Sequence, residues 1–206
     1  YREILRTSPM GLFYVGSAAE EQVISAVRPL LDALERAPEP LPSQTAFTPG
    51  PGEDLTETMD VAQGKLCMGF TAPFTNRCKE LPAMQMLNVI FGGGMTSKLF
   101  QNVREKMSLC YSIDSAFYGT KGILLVNAGI DFDREAITRQ EILRQLQACR
   151  DGEISQGEMT AAREALLSSL RSVQDSPGSI ENFTSTAALS GLVYSRAGYM
   201  EAVENV

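Results

Sequence analysis

The sequence predicts an α+β fold in which an antiparallel sheet carries helices packed on one face. Three segments with strand-like apolar spacing, residues 64–71, 109–118 and 122–131, support this prediction. The last two are joined by the short turn GTKG, which is typical of a β-hairpin. Long stretches with helical spacing fill the rest of the chain. Strands followed by helices favour an α+β layer over a doubly wound parallel sheet.

Composition excludes several classes of function. The 206 residues carry a net charge of −7, which argues against binding to nucleic acid or to an anionic membrane surface. No apolar run approaches the roughly 20 residues that span a bilayer. The four cysteines have no short paired spacing, so a disulfide framework or a cysteine zinc site is not expected. We therefore expect a cytoplasmic protein that binds neither nucleic acid nor membrane.

A proline-rich and glycine-rich stretch marks the internal boundary. Residues 38–55 read PEPLPSQTAFTPGPGEDL, which can neither continue a helix nor form a central strand. Before it, residues 1–37 predict a short strand at 12–16 and a helix that begins near Val23. The stretch predicts a linker between this first part and a domain formed by residues 56–206.

Two helices are predicted on either side of the three glycines at 92–94. Pro82 can open the first helix, since its missing N–H costs nothing in the first turn, and Gly92 can end it in the left-handed conformation. Thr96 or Ser97 can cap the second helix. Its apolar face would contain Leu99, Val103 and Met107.

The chain contains no histidine. This excludes Ser-His-Asp and Cys-His catalysis by the chain itself, and it excludes the ordinary histidine-ligated zinc sites. The glycines at 92–94 do not form a phosphate-binding loop either, because they follow a helix and lack a Gly-Lys-Ser/Thr element. Taken alone, they are typical of a flexible connector between helices.

The whole run from the glycines onward is more specific. Residues 91–111, FGGGMTSKLFQNVREKMSLCY, resemble the signature of the pitrilysin-like zinc metallopeptidases, the family of insulin-degrading enzyme and mitochondrial processing peptidase. The signature belongs to the C-terminal half of those proteins. The upstream LFYVGS, the hairpin and the later helices also match, so the resemblance covers nearly the whole chain. It is strongest to processing-protease-like proteins of Gram-positive bacteria.

The resemblance implies a site as well as a fold. In this family two homologous α+β domains form each half of a chamber, and zinc lies in the N-terminal half on a His-x-x-Glu-His helix. The C-terminal half contributes an arginine and a tyrosine that hold the substrate peptide; here these are Arg104 and Tyr111. Gly92, Gly93 and Gly94 would then provide a hinge and clearance for the helix that carries Arg104. Two such donors could bind a peptide carbonyl and stabilise an oxyanion.

The departure from the family is as informative as the match. The chain has no His-x-x-Glu-His motif, so we expect no metal and no catalytic residue in it, and no activity from the chain alone. It could be the substrate-binding part of a peptidase whose zinc lies upstream or on a partner subunit. Alternatively, it could belong to an inactive scaffold or to a partner subunit of a peptidase-like heteromer. An interaction domain unrelated to peptidases would leave the signature unexplained.

The family pattern also predicts an unfinished sheet. The domain over 56–206 would lack its last strand, and a free sheet edge invites pairing. We expect residues 12–16 to supply that strand, either within the chain or by exchange between two copies in a homo-oligomer.

Overall fold

The computed structural model describes residues 1–40 and 52–206. These divide into two compact units, one formed by residues 1–40 with 172–188 and the other by residues 52–171 with 189–206. Most of the predicted linker, residues 41–51, lies outside the described residues.

The first unit begins with helices α1 (Arg2–Thr7) and α2 (Glu20–Asp32), neither of which buries a side chain. The guanidinium of Arg36 ties the segment after α2 to α1. Its Nε donates to the carbonyl oxygen of Leu5 at 3.0 Å, and a second nitrogen donates to the carbonyl oxygen of Ser8. The unit therefore depends on hydrogen bonds of this kind and little on a buried core.

The expectation that residues 12–16 join the sheet within the chain is wrong. The segment has no strand structure and belongs to a different compact unit from the sheet. Leu12 and Tyr14 are exposed, and Phe13 and Val15 are half-buried. The side chains thus keep a strand-like alternation, but the backbone has no ladder partner. An alternating pattern specifies the two faces of a strand and does not specify its partner.

The sheet lies in the second unit and confirms the three predicted strands. They are β1 (Gly64–Thr71), β2 (Cys110–Tyr118) and β3 (Ile123–Ile130), all antiparallel, in the order β1-β3-β2. The central strand β3 alternates as a half-buried strand should. Its buried side chains on the core face are Leu124, Val126, Ala128 and Ile130.

Helices accompany the sheet, as predicted. In chain order they are α3 (Leu81–Phe91), a π-helix (Leu99–Lys106), α4 (Glu135–Arg150), α5 (Gln156–Ser172), α6 (Pro177–Ser190) and α7 (Arg196–Glu204), of which α6 belongs mostly to the first unit. Helix α3 packs against β2, α4 and α7, while the π-helix packs against β2 and α4. None of the helices in residues 1–40 and 52–206 has the length and apolar character needed to cross a membrane.

The boundaries of α3 and of the π-helix follow local rules, with one exception. Pro82 lies in the first turn of α3, as predicted. The backbone N–H of Phe100 donates to Ser97 Oγ at 3.3 Å, so Ser97 satisfies one N–H at the start of the π-helix. Leu99 and Val103 are fully buried, but Met107 follows the last turn and is exposed. The predicted apolar face is therefore shorter at its C-terminal end.

Candidate functional site

A tight reversal connects the π-helix to strand β2. Ser108 adopts the left-handed conformation with φ of 50°. Its N–H donates to the carbonyl oxygen of Arg104 at 3.0 Å, and the N–H of Leu109 donates to that of Val103 at 3.0 Å. This pair of bonds is a Schellman-type helix end, which normally places glycine in the left-handed position. The reversal brings the strand back beside the last turn of the helix.

Tyr111 occupies the extra position of a β-bulge at the start of β2. Cys110 pairs with Ile130, whereas Ser112 pairs with Gly129, so two steps along β2 correspond to one step along β3. A bulge of this kind changes the direction of a side chain and is common beside functional sites. Tyr111 and Ser112 are consequently both exposed, between the buried Cys110 and the next buried residue of the strand.

The reversal and the bulge place Arg104 and Tyr111 on the same cleft, which has a volume of about 340 Å³. The other lining residues are Glu105, Ser108, Leu109, Cys110 and Asp131. The structure therefore brings together the two side chains that the resemblance assigns to a peptide clamp. Their role in binding stays a prediction.

Arg104 keeps an accessible guanidinium. Its side chain is 38% exposed, and Nη1 lies 3.6 Å from Glu105 Oε1, an ionic contact longer than a hydrogen bond. The guanidinium carbon lies 4.6 Å from the centre of the Phe100 ring. The exposed ion pair is weak, and stacking on the ring leaves the in-plane N–H donors available. Arg104 can thus donate to a carbonyl or carboxylate in the cleft.

Tyr111 is already hydrogen-bonded. Its hydroxyl donates to Asp131 Oδ1 at 2.8 Å. This hydrogen bond and the negative charge of Asp131 raise the pKa of Tyr111 above its ordinary value, while the charge of Arg134 acts in the opposite direction. The phenol therefore stays protonated at neutral pH, with its hydrogen directed to the carboxylate.

Cys110 lies in the same cleft but is not an activated thiol. Burial raises its pKa to about 11, although the positive charge of Arg104 acts to lower it. A nucleophilic cysteine needs a depressed pKa. Cys110 therefore packs as a small apolar residue at neutral pH.

A polar network fixes the π-helix on α4. Asn102 Nδ2 donates to Gln145 Oε1 at 2.8 Å, and Gln145 Nε2 donates to Glu141 Oε1 at 2.6 Å. Arg144 donates to both carboxylate oxygens of Glu141, at 2.6 and 2.8 Å. These bonds from Arg144 lower the pKa of Glu141 from its ordinary 4.5. The helix turn before Arg104 is thereby held in one position.

Of the three glycines, Gly92 and Gly93 are required by space, and neither is left-handed. Gly92 has φ of −151°, so the predicted left-handed helix stop is wrong. A Cβ on Gly92 would lie 2.6 Å from Ser115 Oγ and 2.8 Å from Ser115 N, and one on Gly93 would lie 2.7 Å from Val89 Cα. Nothing lies within 4 Å of a Cβ on Gly94. The close approach of α3 to β2 therefore requires glycine at 92.

Two residues of the cleft were not predicted from the sequence, Ser108 and Asp131. Ser108 gave no signal, because glycine is the residue that usually marks a left-handed helix end. The bulge gave a weak one: between Cys110 and Ile113 the strand has two successive outward positions, which breaks strict alternation. A search for such breaks would have located Tyr111 at a bulge, but not its partner on β3.

The zinc implied by the resemblance does not fit this chain. The sequence offers no histidine. Within the described ranges, no three His, Cys, Asp or Glu side chains are grouped so that they could hold a metal ion. Protein zinc sites take three or four such ligands, so no step of a reaction is assigned here to a metal on this chain.

The comparisons with known proteins agree with this fold and this lack of a zinc site. A family model described as the peptidase M16 inactive domain matches residues 1–166. The chain therefore belongs to that family, a peptidase-like inactive domain of zinc proteases, and the resemblance to the metallopeptidases is confirmed.

Individual relatives give the same picture. A Bacillus subtilis (strain 168) protein named "Probable inactive metalloprotease YmfF" is 28% identical over the whole chain and 48% of its own length. A Rickettsia felis protein named "Uncharacterized zinc protease" is 27% identical over 80% of this chain and 39% of its own length. A crystal structure of a conserved protein from Enterococcus faecalis V583 matches with a TM-score of 0.75 at 25% identity, covering 92% of this chain and 45% of that one. The chain thus spans less than half the length of these three proteins.

Proposed function

We propose that this chain is the substrate-binding, non-zinc portion of a zinc-dependent peptidase, in which Arg104 and Tyr111 hold the peptide. The zinc would be supplied by an N-terminal half or by a partner subunit. One observation carries the proposal: the helix reversal at Ser108 and the bulge at Tyr111 place both side chains on one cleft. A structural arginine and a structural tyrosine would not require two such departures from regular geometry at the same place.

The chemistry of the cleft suits a peptide backbone. Arg104 presents N–H donors to a carbonyl oxygen, and its charge does not depend on pH in the ordinary range. The cleft also contains the carboxylates of Glu105 and Asp131, so a strongly acidic peptide would be disfavoured. We expect the chain to select for an extended neutral or basic segment.

Mutations in the complete assembly, this chain together with its zinc-bearing half, test the clamp. Arg104→Ala should lower turnover of an unstructured peptide about 10- to 100-fold, because Arg104 is partly exposed and solvent screening reduces the effect of a buried oxyanion donor. Tyr111→Phe should have the smaller effect, since its hydrogen is directed to Asp131.

Matched control variants lie outside the cleft. Arg150→Ala removes an exposed arginine from α4, and Tyr118→Phe removes an exposed hydroxyl from the other end of β2. Both should keep full activity. If Arg104→Ala and Tyr111→Phe also kept full activity, the clamp would be refuted.

An inactive scaffold or partner subunit is the second candidate. Two observations favour it: the Tyr111 hydroxyl is already bonded to Asp131, and the relative that matches over the whole chain is named as an inactive metalloprotease. In this case the assembly would hydrolyse no peptide with or without the variants. The cleft variants would then leave subunit association unchanged, which sedimentation would measure.

Strand exchange remains the proposed route to a homo-oligomer. β1 is an edge strand of the sheet, and residues 12–16 of a second copy could pair with it. Tyr14→Pro would remove a ladder N–H and should convert dimer to monomer in sedimentation. A chain that is monomeric at every concentration would contradict the exchange.

The four cysteines are all free, which supports a reducing compartment, and we propose the cytoplasm. Cell fractionation tests this placement, and recovery of the protein from an oxidising compartment would contradict it.

A further inference from the structure

The hydrogen of the Tyr111 hydroxyl is committed within the chain. A phenol has one hydrogen, and an ionised carboxylate can only accept. The distance of 2.8 Å from the hydroxyl oxygen to Asp131 Oδ1 identifies Tyr111 as the donor in this contact. What the hydroxyl offers to the cleft is therefore its lone pairs, so Tyr111 faces a ligand as a hydrogen-bond acceptor.

Both ends of this hydrogen bond are fixed by the backbone. Tyr111 lies in the bulge beside the Cys110–Ile130 pair, and Asp131 directly follows Ile130. Asp131 also begins a 3₁₀ turn, Phe132–Arg134, in which its carbonyl oxygen accepts from Arg134 N–H at 3.0 Å. The Asp131 side chain makes no capping bond to that turn, so the carboxylate is directed to Tyr111 and is not needed to end β3.

We propose that Asp131 is a positioning residue that makes Tyr111 an acceptor, so that Arg104 and Tyr111 bind a peptide backbone through opposite hydrogen-bonding characters. This proposal rests on the proposed peptide-binding function and changes its chemistry. Arg104 donates to a peptide carbonyl oxygen, and Tyr111 accepts from a peptide N–H. The resemblance alone predicts two donors. A donor paired with an acceptor matches the backbone of an extended strand and requires a residue with an N–H, which excludes proline at that position.

The electrostatics of the cleft agree with this assignment. Asp131 raises the pKa of Tyr111 through the hydrogen bond and its charge, Asp133 adds a smaller effect in the same direction, and Arg134 opposes both. The phenol thus loses its proton only at a pH above its ordinary range. Across neutral pH, Tyr111 keeps its hydrogen on Asp131.

The first experiment needs no ligand and tests the Asp131–Tyr111 link in the chain itself. Tyrosine ring-carbon NMR shifts would be followed against pH, with Tyr111→Phe identifying the Tyr111 signal. Asp131→Ala should lower the pKa of Tyr111, since it removes the acceptor and the charge. Asp131→Asn should also lower it and serves as the second variant if Asp131→Ala does not fold. Asp114→Asn, which removes an exposed carboxylate from the same strand, should leave it unchanged.

A Tyr111 pKa that is the same in Asp131→Ala, Asp131→Asn and the unchanged chain would overturn the proposal. This outcome is separate from the proposed function, because peptide binding plays no part in it.

The second experiment tests the acceptor directly with a labelled alanine–serine peptide, capped at both ends. Its amides would be replaced one at a time by esters, which removes one N–H at each position. Fluorescence anisotropy should show that one replacement weakens binding about three- to tenfold, the effect of one lost hydrogen bond. In Tyr111→Phe that replacement should have no effect, because the acceptor is absent.

The outcomes separate the two proposals. In Asp131→Ala the hydroxyl is free to donate, so the sensitivity to the ester should fall, whereas Asp114→Asn should retain it. Binding that is equally sensitive in the Tyr111 and Asp131 variants would overturn the acceptor role while leaving the peptide site intact. No peptide binding at all, with the titration result as expected, would refute the proposed function and with it the acceptor role toward peptide.

Discussion

Replacing Gly92 with alanine tests whether the glycines provide clearance or flexibility. The new Cβ would lie 2.6 Å from Ser115 Oγ and 2.8 Å from Ser115 Cβ and N. Ordinary contact begins at 3.4 Å, so each of these atoms is at least about 0.6 Å too close. With φ of −151° at Gly92, the backbone itself would accept alanine. The cost therefore comes from crowding alone.

The magnitude follows from what has to move. Overpacking of this kind costs about 1–3 kcal/mol. Ser115 cannot move freely, because it is buried and its hydroxyl donates to Asn88 Oδ1 at 2.9 Å; losing that bond adds about 1 kcal/mol. We expect Gly92→Ala to lower the free energy of unfolding by about 2–4 kcal/mol. For a chain of this size, the thermal midpoint should fall by about 5–15 °C.

The control is two residues away. A Cβ on Gly94 meets nothing within 4 Å, and this glycine is exposed. Gly94→Ala should be neutral or stabilise the fold by up to about 1 kcal/mol, because alanine restricts the unfolded chain. Urea denaturation followed by circular dichroism measures both variants. If Gly94→Ala cost as much as Gly92→Ala, the glycines would be acting as a flexible hinge, and the clearance argument would fail.

The helix reversal, the network on α4 and the lack of histidine each give a further prediction. Ser108→Gly should raise the thermal midpoint by about 2–4 °C, since it relieves a left-handed serine; a midpoint below that of the unchanged chain would contradict this. Arg144 lowers the pKa of Glu141 below 4.5 in the folded state, so its stabilisation is present above pH 4.5 and is lost as the pH falls through the folded value. The advantage of the unchanged chain over Glu141→Gln, about 1–2 kcal/mol at neutral pH, should therefore narrow in acid; a gap independent of pH in urea titrations would count against it. The chain with added Zn²⁺ should hydrolyse no unstructured peptide above a blank, because it contains no histidine; chelator-sensitive turnover would refute this.

Local sequence patterns determined the elements of the second unit. Alternation over 64–71 and on both sides of GTKG specified three strands, and each lies within a residue of its predicted limits. Pro82 and Ser97 marked helix starts correctly. These features depend on neighbours within a few positions, so a single sequence contains them. The lack of histidine is a property of composition, and it excludes a zinc site of the family type whatever the fold.

Tertiary structure alone decided which of these elements pair and how the side chains meet. Residues 12–16 have a strand-like pattern and no strand partner, since a pattern specifies faces and not an edge. The contact of Tyr111 with Asp131 joins residues 20 positions apart, and that of Asn102 with Gln145 joins residues 43 apart. Such contacts depend on the one-residue register shift of the bulge and on the left-handed turn at Ser108. Arg104 and Tyr111 were predicted from a resemblance, but the acceptor character of Tyr111 comes from a carboxylate that directly follows the neighbouring strand.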